Sequence, residues 1–448
     1  MTEKIKTKYR TICTAIPAPE SAELFNTLSK YEARSMHGQM PVVWDRAEDF
    51  QVFDPYGNCF IDLTSTIFVA NSGHSNPEII ASLQAMLDKK LLHTYTYAHQ
   101  TRADLLEKLI KFTPPQFEKA FLLSAGTEAT ECALKLVRLY GRTQKPDKSV
   151  VVSFSGAMHG RTLGAELLKG APETSDWIGF SDPNIYHLPI PYPWEVERVG
   201  SGKAFFEASI STLEAAGLDG SRICGIFVES YIGWSSLFFP PDYIQALADY
   251  AKQHDSLLVF DEIQSGMGRT GTLFAYEHYG VEPDLICLGK GLSGSMPVSA
   301  VLGAASIMDL PETGSMSSTH SANPLGCAAT LANITYIESH NLIAESARKG
   351  EMMHLILDAM KREFPESISH VFGKGLVGAL LFQNAEGNPN ADLANRICHL
   401  AMERGVLLVR TGRESIKLGP PLTIPDDALT EGLTVIRDCI GAAISEQK

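Results

Sequence analysis

Between about residues 75 and 290, short apolar runs alternate with longer segments whose apolar positions recur at helical spacing. Ala120-Phe121-Leu122-Leu123, Val150-Val151-Val152, Ile226-Phe227-Val228, Leu257-Leu258-Val259-Phe260 and Leu285-Ile286-Cys287-Leu288 are continuous apolar runs, too short for helices. They predict strands buried on both faces. The segment 127–140 places Ala129, Cys132, Ala133, Leu136, Val137 and Tyr140 on one helical stripe, and 102–113 and 242–253 read as helices too. Such alternation predicts an α/β fold with a mainly parallel sheet between helices. Residues 41–63 suggest two short strands around the turn Asp54-Pro55-Tyr56-Gly57-Asn58. Residues 1–40, polar and containing Pro17 and Pro19, suggest an irregular arm. A helix pair over 325–362 leads into an α+β segment that closes with a helix near 427–445. At 448 residues the chain exceeds what one core usually serves. The expected division is an arm and part of a small domain over 1–74, a large domain over 75–330, and a C-terminal small domain over 331–448.

Charge and cysteine usage narrow the setting. With 38 Lys and Arg against 52 Asp and Glu, the net charge of −14 repels phosphate backbones and argues against nucleic acid as a partner. Eight cysteines occur without a C-x-x-C pair, which fits reduced thiols of an intracellular protein. No apolar leader follows Met1 and no run approaches a membrane span, so a cytoplasmic location is expected, away from membranes. His93 and His99, six apart, do not share a helical face and lack nearby co-ligands, so no metal site is expected. Tyr95 and Tyr97 alternate, which fits packing from a strand, with a place beside a cofactor as the alternative.

Three segments carry candidate chemistry. Ser124-Ala125-Gly126-Thr127-Glu128 joins a strand to a helix, where free N–H groups and the helix dipole suit a phosphate, although an ordinary helix cap has the same composition. Phe260-Asp261-Glu262-Ile263-Gln264, with Gly266, Gly268 and Gly271 following, puts two carboxylates and an amide at a strand end. A helix cap or a metal site are the alternatives there. Leu288-Gly289-Lys290-Gly291 sets a lysine between glycines directly after an apolar strand. A lysine that attacks a carbonyl must sit in a desolvated pocket, and small neighbours leave room for a bulky cofactor. A solvated loop lysine or a phosphate-binding lysine would look similar, but the P-loop spacing is absent.

Together these segments resemble the class III, or ω-amino acid, aminotransferases, which use pyridoxal 5′-phosphate. The resemblance spans roughly residues 40–440 and includes Asn71-Ser72-Gly73-His74, His159-Gly160-Arg161-Thr162, Pro283-Asp284-Leu285, Thr319 to Pro324, and Pro420-Pro421-Leu422 in family order. It implies fold type I: a large domain with a mainly parallel seven-stranded sheet between helices, and a smaller α+β domain from both termini. It implies that Lys290 holds the cofactor as a Schiff base and moves the proton, and that Asp261 faces the pyridine nitrogen. Gln264 would bond the ring 3-oxygen, Gly126 and Thr127 the phosphate, and Met158, His159, Glu229 and Ile263 would lie against the cofactor. Thr319 would reach the phosphate of a neighbouring subunit, giving a homodimer with shared sites. An amine or ω-amino acid would serve as donor and a 2-oxo acid as acceptor.

The departures from the family pattern concern mainly the substrate. Met158 stands where relatives stack an aromatic residue on the ring, and Ser230 where a proline is usual. Lys417 replaces a carboxylate-binding arginine and Trp234 its gating glutamate. Arg161 matches an arginine that several relatives use for a carboxylate, and Ile67 lies where relatives contact substrate. Arg161, Lys417, Trp234 and Ile67 are therefore the expected substrate-binding residues. Lys417 facing solvent and Trp234 packing in the core would equally fit the sequence. Racemisation, epimerisation or decarboxylation coupled to transamination would use the same scaffold, and the motifs do not separate these outcomes. A non-catalytic ligand sensor is disfavoured by the intact Asp261–Lys290 pair.

Overall fold

The apolar runs assemble into one seven-stranded sheet in a computed structural model that describes residues 4–38 and 40–447. Its order is Lys119–Leu123, Ser299–Gly303, Leu285–Leu288, Leu257–Asp261, Ile223–Glu229, Val150–Phe154, Ile185–Leu188. Ser299–Gly303 runs antiparallel to both neighbours, and the remaining strands are mutually parallel. The α/β sheet expected from the sequence is thus present, with two strands that the apolar pattern did not mark. Ile185–Leu188 lies at the sheet edge and carries Tyr186 and His187, which are only partly buried. Ser299–Gly303 is bounded by Ser and Gly and holds only three apolar residues.

Helices cover the sheet. Gly126–Gln144 turns Ala129, Cys132, Ala133, Leu136 and Val137 inward against Val151, Phe227, Val259 and Cys287. Pro241–Gln253 buries Tyr243, Ile244 and Leu247 in the larger core on the opposite side. Burying one such side chain contributes about 1.5–3 kcal/mol, so these stripes hold the layers together.

Both ends of the chain build two further sheets. The strands Ile5–Lys6, Thr11–Ile12, Arg46–Glu48, Gln51–Phe53 and Cys59–Asp62 form a sheet that Val406–Leu407 joins by pairing with Cys59–Asp62. Ile368–Lys374, Val377–Phe382, Ser415–Leu418 and Val409–Arg410 form the other. The N-terminal arm is less irregular than its composition suggests: beside the first hairpin it contains the helix Ala22–Tyr31. Leu24, Leu28 and Tyr31 form an apolar stripe on that helix that stays exposed on the single chain, and this spacing was the overlooked signal. Tyr95 and Tyr97 also depart from expectation. Both are exposed in a turn, not packed from a strand, and Tyr95 has φ +52°.

Candidate active site

A cleft of about 390 Å³ opens at the carboxyl ends of the parallel strands, where α/β sheets gather ligands. Asp261 ends Leu257–Asp261, Glu229 ends Ile223–Glu229, and Lys290 follows Leu285–Leu288 by two residues. Lys290 has φ +43°, a left-handed conformation unusual for a residue with a side chain and concentrated at functional sites. Burial draws its amine below the ordinary lysine value, against the opposing charges of Asp261 and Glu229.

Asp261 is buried and doubly held. Its Oδ1 accepts from the Ile263 amide at 3.0 Å and its Oδ2 from His159 Nδ1 at 2.9 Å. Burial works against the imidazolium, yet the Asp261 hydrogen bond and the charges of Asp261 and Glu229 together raise His159 above its ordinary 6.5. His159 thus backs the carboxylate from inside the fold while Asp261 lines the cleft. Glu229 receives the amides of Met158 and Gly233, each at 3.0 Å, and ties two loops together. Burial, with Asp261 close by, pushes its carboxyl up to about 7. Glu262, the second carboxylate of the strand end, turns away. It accepts from Ser230, Ser265 and the amides of Ala275 and Tyr276, so its role is to cap the turn Ala275–Tyr279.

The far end of the cleft is the start of Gly126–Gln144. Glu128 Oε2 takes the amides of Ser124 and Ala125, which leaves Gly126 and Thr127 at the helix head, where N–H groups lack intrahelical acceptors. Ser124 Oγ is buried beside them without a partner among the described residues. A side chain at Gly160, φ +141°, would strike Thr127 Oγ1 at 2.2 Å, so glycine there keeps Thr127 in place. Thr127 Oγ1 in turn meets Thr162 Oγ1 at 2.7 Å. An anion-accepting helix head, a buried carboxylate backed by a histidine and a desolvated lysine fit the phosphate, ring nitrogen and carbonyl carbon of pyridoxal 5′-phosphate.

The structure brings most of the sequence-selected residues together. Gly126, Thr127, Met158, His159, Arg161, Glu229, Asp261, Ile263, Gln264 and Lys290 all line this cleft. Met158 is 44% exposed, a thioether free to lie over a ring. Arg161 is exposed at the rim, with no hydrogen bond or ion pair among the described residues. Tyr231 and Ser265 also line the cleft and were not anticipated. Tyr231, two residues beyond Glu229, offered only its proximity to a strand end as a signal.

Four selected residues lie elsewhere. Ile67 lines a separate cleft with Trp44, Leu408 and Arg410. Trp234 is half-buried beneath the Arg413 guanidinium, 3.7 Å from its ring, and its indole N–H has no partner among the described residues. Lys417 does not face solvent. It is 2% exposed and donates to Gly233 O and to Gln264 Oε1. Thr319 is exposed on a different loop, where its carbonyl meets His93 Nε2 at 2.9 Å. His93 stacks edgewise on His320 at 5.1 Å, yet no cluster suited to a metal occurs among the described residues.

A desolvated lysine and a strand-end carboxylate on this sheet, with a phosphate-ready helix head beside them, define a pyridoxal-phosphate enzyme of fold type I. Comparison with known proteins narrows the class. The family profile described as aminotransferase class-III matches residues 32–440. The chain is 32% identical to 4-aminobutyrate aminotransferase of Mycobacterium leprae, over 96% of this chain and 98% of that protein. It is 33% identical to ornithine aminotransferase of Saccharomyces cerevisiae, over 92% and 96%. The solved ornithine aminotransferase of Toxoplasma gondii superposes with a TM-score of 0.82 at 25% identity, covering 95% of this chain and 96% of that one. The chain belongs to the class III aminotransferases. It is a pyridoxal-phosphate-dependent enzyme that moves an amino group from an amino donor to a 2-oxo acid. None of its helices, among the described residues, is long and apolar enough to cross a membrane.

Proposed function

We propose that Lys290 binds the cofactor covalently and carries the proton in transamination between an amine or ω-amino acid and a 2-oxo acid such as 2-oxoglutarate or pyruvate. The observation that carries this reading is the convergence of Lys290, the His159–Asp261 pair and the Gly126–Thr127 helix head in one cleft. When bound, pyridoxal phosphate supplies an electron sink for the carbon that bears the reacting nitrogen. Burial leaves Lys290 more often neutral than a free lysine, as a nucleophile toward a carbonyl requires. As a free amine, the same Nζ would serve as the base that takes a proton from the substrate carbon and as the acid that gives it back. Asp261, hydrogen-bonded to His159, would partner the ring nitrogen. The amides of Gly126 and Thr127 and the Thr127 hydroxyl hold the phosphate.

Arg161 supplies the carboxylate anchor, because its guanidinium is at the cleft rim and uncommitted. Its fork suits bidentate binding, while Lys417 and Trp234 have turned to protein partners. Thr319, exposed and outside its own cleft, serves the phosphate of a second copy, so the working unit is a homodimer with shared sites. With free, mostly buried thiols, the enzyme works in the reducing cytoplasm. Borohydride treatment of the holoenzyme followed by peptide mass spectrometry tests the central role. The cofactor is expected on Lys290, and Lys290→Ala is expected to have no turnover. Attachment to another lysine would refute the assignment.

A further inference from the structure

Lys417 is a buried cation at the edge of the cleft, 2% exposed, and it has no carboxylate partner among the described residues. It lies on Ser415–Leu418 of the small C-terminal sheet, opposite Ala379 and Val409. Its ammonium sits 4.5 Å from the Phe68 ring centroid and 5.8 Å from that of Tyr231, within cation–π reach of both. Its hydrogen bonds go to Gly233 O and, at 2.8 Å, to Gln264 Oε1. Nζ is the donor in this contact, so its partner atom on Gln264 is the oxygen. The amide is planar, and Nε2 must therefore point away from Lys417. Gln264 lines the cleft with Asp261 and Lys290, and its Nε2 has no protein partner among the described residues.

We propose that Lys417 is a positioning residue for the cofactor: by holding Gln264 Oε1 it turns Nε2 into the cleft as a fixed donor to the ring oxygen beside the Lys290 linkage. The inference rests on the pyridoxal-phosphate reading of the cleft and replaces the expectation that Lys417 binds a substrate carboxylate. With the cofactor bound, Nε2 would donate to the ring oxygen, which would carry negative charge in the deprotonated chromophore. A polarised amide donor aimed at that oxygen stabilises the anion and lowers the pH at which the bound chromophore titrates. The charged neighbours of Lys417 agree with a site tuned for this. Burial, the Lys290 charge and Arg269 lower its own amine to about 7, with Glu229 acting in the opposite sense. Phe68, Tyr231 and the strand neighbours Ala379 and Val409 add no fixed charge.

The test is a pH titration of the visible absorbance of the holoenzyme, with the dissociation constant of pyridoxal phosphate measured alongside. Lys417→Met is expected to raise the titration midpoint by about one pH unit. It is also expected to weaken cofactor binding by roughly tenfold, the scale of one hydrogen bond. Lys417→Arg keeps a donor and should restore both. Gln264→Leu should shift the midpoint as Lys417→Met does, and the double variant should shift it no further. If Lys417→Met fails to fold, Lys417→Gln replaces it in the same cycle, and its midpoint should stay close to that of the parent because a neutral donor still orients the amide. An unchanged midpoint in Lys417→Met overturns the proposal. So does an equal Lys417 effect in the Gln264→Leu background, because Lys417 would then act by its charge alone. A parent protein that binds no pyridoxal phosphate would sink the functional reading along with this inference, whereas a normal parent titration with an unshifted variant sinks only the inference.

Discussion

Replacing Asp261 by Asn isolates the electron-sink role, because the two side chains have nearly the same shape. Asp261 currently accepts the Ile263 amide at 3.0 Å and His159 Nδ1 at 2.9 Å. Asn has one oxygen, so one of those donors would face an NH₂ group. His159, fully enclosed, would lose its counter-ion, and its elevated affinity for a proton would fall. A hydrogen bond to a charged group is worth about 1.5–3 kcal/mol. Loss of the anion that holds a proton on the ring nitrogen costs about as much as losing one well-placed electrostatic partner of a transition state. We therefore expect kcat to drop by at least ~100-fold, which is about 2.7 kcal/mol on the barrier. Cofactor retention should suffer less, since Lys290 and the phosphate contacts remain. The assay is a single half-reaction: holoenzyme is mixed with excess amino donor and the decay of the visible band is timed. His159→Asn should slow the same step, and the double variant should be little worse than Asp261→Asn alone, because the histidine acts through the aspartate. The pH behaviour has a definite sign. His159 binds its proton more tightly folded than unfolded, so the pair's contribution is complete below about 6.5 and is lost as pH rises through the higher folded value. An Asn variant with near-normal half-reaction kinetics would refute the reasoning.

Arg161→Ala should raise KM for the carboxylate substrate by roughly 10- to 100-fold while leaving the cofactor spectrum unchanged, the scale of a lost charge-assisted contact. Steady-state kinetics with several 2-oxo acids check this, and an unchanged KM for all of them would place the anchor elsewhere. Thr319→Val should speed loss of pyridoxal phosphate on dialysis without altering the isolated chain's fold, and a fully active monomer in dilute solution would contradict the shared site. Arg269→Met should lower Tm markedly. That guanidinium is fully buried and bonds Leu376 O, Pro420 O, Ser65 Oγ and Asn71 Oδ1, acceptors that would be left unpaired at about 1–3 kcal/mol each. Thermal unfolding measures it.

What could be read from the chain divides along the range of the interactions. The buried strands and the helix Gly126–Gln144 declare themselves because each satisfies one local period, and Lys290 stands out because a lysine between glycines after an apolar strand has few structural uses. The edge strand Ile185–Leu188 and the small-residue strand Ser299–Gly303 lack that pattern, since neither needs a full apolar run to be held by its neighbours. Partnerships across the fold were beyond local reading. His159 reaches Asp261 across 102 residues and Lys417 reaches Gln264 across 153, and nothing in either local sequence names the other. The substitution of lysine for arginine at 417 was visible. Its consequence was not, because the direction of a long flexible side chain depends on what surrounds it.

The same separation explains why the site needs both ends of the chain. Ser65, Thr66, Ile67 and Phe68 are four consecutive residues with positive φ. For residues with side chains such a conformation costs roughly 1–2 kcal/mol each, so this turn does not persist unaided. Arg269, which follows the strand Leu257–Asp261, grips it through Ser65 Oγ at 3.3 Å and Asn71 Oδ1 at 2.6 Å, and Ser65 Oγ donates to Gly419 O at 2.6 Å. Gly419 is required there, because any side chain would lie 1.7 Å from the Phe68 ring. The strained turn thereby sets Phe68 under the Lys417 ammonium, and Lys417 reaches Gln264. The N-terminal turn, the C-terminal strand and the strand end that carries Asp261 form one continuous set of contacts.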